Sequence, residues 1–473
     1  MKRPIMGMIT FGDHREDMWN NVFGKQTEPR HRLAIKALSA LPVELVVRDE
    51  VARTAPDIDS QVDFLRSAGA EILVAHTPCW TSPNLVVRGV QRAQLPVILL
   101  GNRDPGTHGA VGLLGASGAL GQIGYAHAVV RCDYDSPDIG SRILPLVRAA
   151  AVKARLRGSV FGHFGGRSIG IDTAQFDPMQ WRKLFGIDAE HIDQVEILRL
   201  AEKVDPQRVR KMREWIEKGA KSVRYNDAKF TQDKFDYELA CYLATKDIVK
   251  QARLDFVAIK CMPELSNSYI PQCMTQAFLA DVFDGDEGEK ESVPVACEAD
   301  ADGALTQYIL NILSGGMPTF FADLSHINDK ESVFYCVNCG AVCAWYAGRC
   351  SDPAGNLARI TIQQSVRPSG GGITYFHAAP GPMQLARLYR KDGKYHMAII
   401  PCMAVEPSKE MVDEFVEARG PHQLPALFAK VGFDIDAFLD SYGSNHISGI
   451  AGNYEKELLA VCKLLDIVPE VFK

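Results

Sequence analysis

The amino-acid sequence predicts an α/β protein: two parallel-sheet domains, then a C-terminal, mainly antiparallel β-barrel domain with helices. Three observations carry this. Short apolar, β-branched runs alternate with helical patterns through the first 155 or so residues. A second such alternation starts near Ser159-Val160-Phe161. From about Glu331 the rhythm changes to alternating runs separated by Gly, Pro and Asp-Gly. The expected domains are 1–157, 158–325 and 326–473.

In the first part, Pro4–Thr10 is a short apolar run, His31–Leu41 has helical periodicity and Val43–Val47 is β-branched. Asp57–Ala68 reads as a helix, and Glu71–His76 and Pro96–Gly101 as buried strands. This rhythm predicts a parallel sheet covered on both faces, with ligands bound beyond the carboxyl ends of its strands. Two strand ends carry unusual residues: His76-Thr77-Pro78-Cys79-Trp80 and Gly101-Asn102-Arg103-Asp104-Pro105. In the second part a glycine-rich turn, Gly162–Arg167, follows the opening strand. Helices are expected over Pro206–Lys218, Asp233–Arg253, Thr275–Val282 and Gly303–Leu313, and strands over Asp255–Lys260, Val293–Glu298 and Pro318–Asp323. The acidic stretch Asp284–Glu291 reads as an exposed loop. In the third part Ala358–Gln363, Ile373–Ala378 and Gln384–Tyr389 alternate, and Asp392-Gly393 before His396–Ile400 is a hairpin turn. Helices close the chain near Asp434–Asp440 and Glu455–Leu465.

Composition narrows the function classes. Hydrophobic residues make up 47% and charged residues 23%, the balance of a soluble globular protein. A net charge of −6 argues against a nucleic-acid partner. Neither a signal-peptide apolar region nor a run of the ~20 apolar residues that a membrane span needs is expected. Most of the twelve cysteines sit in apolar runs, as expected of reduced thiols in a cytoplasmic protein. Gly115, Gly118, Gly121 and Gly124 lack the G-x-G-x-x-G spacing of a dinucleotide site and read as helix packing.

The most informative stretch is Val293–Asp323, with the form strand, crossover helix, strand. One strand ends on Glu298 and the other on Asp323, with Asp300 and Asp302 where a helix N-cap belongs. Parallel neighbours would lie about 4.7–4.9 Å apart, placing two carboxylates side by side at the carboxyl edge of the sheet. Two like charges that close repel unless a proton or cation lies between them. Oxygen-rich ligation favours Mg²⁺, Mn²⁺ or a similar hard ion. The bland alternative is that both acids cap strand-to-helix turns. His446, in the small-residue loop Gly443–Gly449, can reach a site, although a lone loop histidine is more often surface. Cys336, Cys339, Cys343 and Cys350 raise zinc as an alternative, without the paired CxxC spacing of a zinc ribbon. His377 could be a ligand or a satisfied strand-end histidine.

Cys297-Glu298-Ala299-Asp300-Ala301-Asp302-Gly303-Ala304-Leu305-Thr306, followed by Phe321-Ala322-Asp323, resembles the signature of L-fucose isomerase and its relatives. Gly165–Ile171, Ala379-Pro380-Gly381-Pro382, Asp392–Ala398 and Asn445-His446-Ile447-Ser448 resemble further motifs of that family, from about Gly165 to the C-terminus. Thr77-Pro78-Cys79-Trp80 extends the likeness into the first domain. The resemblance implies two α/β domains, a C-terminal barrel, a homohexamer with active sites at subunit contacts, and Mn²⁺ (or Mg²⁺ or Co²⁺) bound by Glu298, Asp323 and His446. It makes Trp80 a candidate to reach a neighbouring subunit's site, and Glu264, Tyr375 and Asn445 candidate substrate contacts. The sequence departs from classical fucose isomerases at Cys261-Met262-Pro263-Glu264, where they carry a glutamine-rich run. The implied reaction is aldose–ketose isomerisation of a small sugar such as L-fucose or D-arabinose through a cis-enediolate, with Glu298 and Asp323 as base and acid. Alternatives are the same chemistry on L-arabinose or a sulfonated hexose, and a non-catalytic sugar-binding protein.

Overall fold

Alternation of side chains across each strand accounts for the first sheet. Strands β1 (Ile5–Thr10), β2 (Glu44–Val47), β3 (Ile72–His76), β4 (Val97–Gly101) and β5 (His127–Arg131) pair in parallel in the order β2-β1-β3-β4-β5. Leu73 and Ala75 of β3 enter one apolar cluster, and Ile72 and Val74 enter another. Successive residues thus point to opposite faces and both faces are covered, as a parallel sheet requires. The computed structural model describes residues 3–419 and 424–473. This sheet belongs to one of two compact units, Met1–Arg155 with Lys456–Leu465; the other comprises Leu156–Glu455 and Asp466–Lys473. Of the glycine ladder only Gly115 serves packing as expected, its Cβ position lying 3.1 Å from Pro83 of the helix Pro83–Ala93. A Cβ on Gly118, Gly121 or Gly124 would meet nothing within 4 Å, whereas Gly112 lies tight against the Cys79 carbonyl.

The second unit holds β6 (Val160–Phe164), β7 (Asp188–Ile192), β8 (Ser222–Val223), β9 (Phe256–Ile259), β10 (Phe283–Asp284), β11 (Gly288–Glu289) and β12 (Val295–Cys297). Further on come β13 (Phe320–Asn328), β14 (Val333–Val337), β15 (Thr361–Gln364), β16 (Gly372–Tyr375), β17 (Gly381–Lys391), β18 (Lys394–Ala404), β19 (Ala426–Lys430), β20 (His446–Ala451) and β21 (Val468–Val471). A parallel sheet runs β12-β9-β6-β7, and a small one β16-β15-β8. The remaining large sheet is mixed. Its pairings β17–β20, β20–β13, β13–β14, β14–β19, β19–β18 and β18–β17 return to the starting strand, and β21 joins β18 in parallel. Asp392-Gly393 makes the two-residue turn between Lys391 and Lys394, as its sequence predicts.

Three expectations need correction. Val293–Glu298 and Pro318–Asp323 are not parallel neighbours: β12 pairs with β9, while β13 runs antiparallel between β14 and β20. His446 is not in a loop but begins strand β20. Within Asp284–Glu291, Phe283–Asp284 and Gly288–Glu289 form a short hairpin. There Asp284 is fully buried, accepting hydrogen bonds from Tyr242 Oη and, at 2.8 Å, from Lys246 Nζ.

Candidate metal centre

Two sheets of the second unit converge on one point. Glu298 stands just past β12, at the carboxyl edge of the parallel sheet. Asp323 lies in β13 and His446 in β20, where register sets the two directly opposite each other. Paired cross-strand residues have Cβ atoms about 4.5–5.5 Å apart, so the register alone brings the carboxylate and imidazole together. Glu298 reaches them through an unusual turn: both Glu298 (φ +59°) and Ala299 (φ +55°) adopt the left-handed conformation. Non-glycine residues held there carry strain that surrounding contacts must offset, a pattern that clusters at functional sites. Asp300 ends the turn by capping the helix Ala301–Ser314, accepting from the Gly303 amide at 2.9 Å.

His446 Nε2 lies 2.8 Å from Glu298 Oε2 and 3.4 Å from Asp323 Oδ1. Donor atoms of the three residues all lie within 4.8 Å of one another, close enough to hold one metal ion. Glu298 and His446 are buried, but the Asp323 side chain is 49% exposed, so the group opens to solvent on its side. Asn445 Nδ2 donates to Asp323 Oδ1 at 3.2 Å. Asp300 Oδ2 holds the other imidazole nitrogen, Nδ1, at 2.7 Å and so aims Nε2 at the carboxylates. A carboxylate in this position is the usual brace of a metal-binding histidine. Arg387, fully buried, binds Asp300 in turn through Nη1 at 2.5 Å and Nη2 at 3.0 Å. Gly303 has to be glycine here, since a Cβ would lie 2.6 Å from both Arg387 Nη1 and the Phe321 ring.

The electrostatics suit a cation site. Burial pushes His446 down, but hydrogen bonds to Asp300 and Glu298 and the charges of Asp300 and Asp323 outweigh it, holding the ring at about 9. Proton binding at this imidazole thus offsets the charge of the surrounding carboxylates. Partial burial raises Asp323 above its ordinary value, with His446 opposing and Glu298 adding to the rise. Burial would also raise Asp300, but the Arg387 charge and the His446 hydrogen bond hold it far below that range.

Other sequence-derived residues lie elsewhere. Trp80, half-buried, follows β3 in the first unit. Glu264 is exposed and paired with Lys260 at 2.7 Å. Tyr375 lines a separate cavity of about 280 Å³ with Lys221, Arg359, His377 and Glu406. A cavity of about 790 Å³ is lined by Asp302, Tyr389, Arg390 and Gly443, but by none of the three clustered donors. Sequence reasoning saw Asp300 only as a cap and missed Arg387. The available signal was an arginine inside the apolar run Met383–Tyr389, which needs a buried acid.

Residues 336–471 match the L-fucose isomerase C-terminal domain, and residues 4–158 match the first N-terminal domain of L-fucose isomerase. The chain belongs to the L-fucose isomerase family. A sulfoquinovose isomerase of Clostridium sp. (strain MSTE9) is 22% identical over 457 residues, 93% of this chain and 94% of that protein. A sulfoquinovose isomerase of Alkalicoccus urumqiensis is 23% identical over 299 residues, 62% of this chain and 64% of its own length. An L-fucose isomerase of Phocaeicola vulgatus is 29% identical over 205 residues, 41% of this chain and 34% of that protein. The chain therefore spans just under two thirds of the Alkalicoccus protein and about a third of the Phocaeicola one.

Proposed function

We propose that this chain is a metal-dependent aldose–ketose isomerase of small sugars, with Glu298, Asp323 and His446 as cation ligands. The observation that carries this reading is the convergence of the Glu298 and Asp323 carboxylates on the His446 imidazole, itself braced by Asp300. Two oxygen donors and one nitrogen suit Mn²⁺, with Mg²⁺ or Co²⁺ as substitutes. When bound, the ion supplies Lewis-acid polarisation and a template for the C1 and C2 oxygens. Glu298 and Asp323 then move the proton between C1 and C2, one as base and the other as acid, through a cis-enediolate. The open side of Asp323 gives the sugar its approach, and Asn445 orients that carboxylate. We read the closed ring of strands as the barrel of a third domain, with domains at 1–157, 158–325 and 326–473. We place the enzyme in the cytoplasm as a homo-oligomer, a hexamer by family likeness, in which Trp80 serves a neighbouring subunit's site. Glu264 and Tyr375 are further proposed substrate contacts.

The substrate reading has two branches. Family membership favours L-fucose or D-arabinose. The relative aligned over 94% of its length is a sulfoquinovose isomerase, which favours a sulfonated hexose. Incubation with L-fucose, D-arabinose, L-arabinose and sulfoquinovose, with Mn²⁺ and after EDTA, separates them by which ketose forms. Glu298→Gln or Asp323→Asn should abolish turnover while leaving the circular-dichroism spectrum unchanged. Near-normal turnover in both variants, or sugar binding with no turnover in Mn²⁺, would overturn the isomerase reading.

A further inference from the structure

The cysteines of the run Cys336–Cys343 differ in their surroundings. Cys336 and Cys343 are buried in the apolar core of the second unit. Cys339, in the segment after β14, is only half-buried. Its Sγ lies 3.9 Å from that of Cys273, the first residue of the helix Cys273–Ala280. Cys273 Sγ also donates to the Cys339 carbonyl at 3.4 Å. Hydrogen bonds from Cys273 and Cys297, together with the Arg367 guanidinium, hold the Cys339 thiol well below the usual range. Its hydrogen bond to Cys339 and burial push Cys273 up. The pair therefore combines a half-buried thiol, held below the usual range, with a buried thiol 3.9 Å from it, the pattern of an attacking and a resolving cysteine.

We propose that Cys339 is an oxidation site for hydroperoxides and that Cys273 resolves it as a Cys273–Cys339 disulfide. The Cys339 thiolate attacks a peroxide oxygen and the O–O bond breaks. An alkoxide, or hydroxide from hydrogen peroxide, leaves, and the sulfur is oxidised by two electrons to a sulfenic acid. Cys273 Sγ then attacks that sulfur. The S–S bond forms, the S–O bond breaks, and the departing hydroxide takes the Cys273 proton as water. Reaching a disulfide bond length requires the two sulfurs to approach by about 1.9 Å. That movement acts on both carboxylate-bearing strand ends. Cys339 follows Asn338, whose Nδ2 holds the Phe321 carbonyl at 3.2 Å, two residues before Asp323. Cys297, which loses its thiol partner, directly precedes Glu298.

The test exposes EDTA-treated full-length protein to hydrogen peroxide, then alkylates it without reduction. The expected result is loss of two thiols per chain and a linked peptide pair containing Cys273 and Cys339, reversed by dithiothreitol. In Cys273→Ser, oxidation should stop at a sulfenic acid on Cys339 that dimedone labels. In Cys339→Ser, neither the link nor the label should form. A disulfide joining other cysteines, or an unlabelled Cys339 in folded Cys273→Ser, overturns the proposal. These readouts are peptide masses, so their outcome is independent of whether the protein isomerises a sugar.

Discussion

Raising the pH from 7 to 9 should strengthen cation binding at Glu298, Asp323 and His446 by about two orders of magnitude. In the metal-free protein the imidazole is protonated up to about 9, because Asp300, Glu298 and Asp323 together outweigh its burial. A ligand nitrogen has to be unprotonated, so each cation bound displaces this proton. Every pH unit below 9 therefore weakens apparent affinity about tenfold, or about 1.4 kcal/mol. The same shift makes the metal-free fold pH-sensitive. The ring holds its proton more tightly folded than unfolded, where its ordinary value is 6.5. That stabilisation is full below 6.5 and lost as pH rises through 9, about 3 kcal/mol in all. Calorimetric titration with Mn²⁺ in buffers of different ionisation enthalpy measures both affinity and proton release. About one proton should leave per ion at pH 7, about half at pH 9, and almost none well above that. Asp300→Asn removes one holding bond and charge, so it should lower the ring's pKa and flatten the profile. Affinity constant from pH 7 to 9, with no proton released, would refute the reasoning.

Two further outcomes follow from buried charges around the centre. Arg387→Met strands the Asp300 carboxylate in a fully buried position, and should destabilise the protein by about 3–5 kcal/mol in denaturant unfolding; a loss below 1 kcal/mol would count against the pair's role. Asp302 is raised by burial to about 6, only partly offset by Arg390 and Arg387. Its neutral form favours the fold, a contribution present below 3.8 and lost as pH rises through 6. Asp302→Asn should therefore gain on the parent between pH 4 and 7, by up to about 3 kcal/mol, in paired thermal melts across that range.

The parallel sheets were legible because strands such as Ile72–His76 are apolar on both faces and bounded by helical patterns. The meeting of Glu298 with Asp323 was also expected, but through a pairing that does not occur. Strand pairing is non-local, and both runs end on an acid whichever sheet they join. A signal did exist: after Asp323 the sequence Leu-Ser-His-Ile-Asn no longer reads as a buried parallel strand, and Phe320–Asn328 is an antiparallel strand running on past the site. His446 looked like a loop residue because Gly443, Ser444 and Asn445 precede it, and only pairing with β13 shows the strand. Asp300 is the helix cap its sequence predicts, and only its second role is hidden. One carboxylate there does two jobs, and its capping motif is visible locally whereas its contact to His446 spans 146 positions.

Glu298 and His446 stand 148 positions apart and come from different sheets. An ion held by both would tie the edge of the parallel sheet to the ring of strands, closing a loop that the unfolded chain would have to close at large entropic cost. An ion that binds the folded site more tightly than the unfolded chain makes its own concentration a thermodynamic variable of the fold. At a hundred times its dissociation constant it would add about 2.7 kcal/mol to stability. Heat resistance would then report the cell's supply of the ion as directly as turnover does.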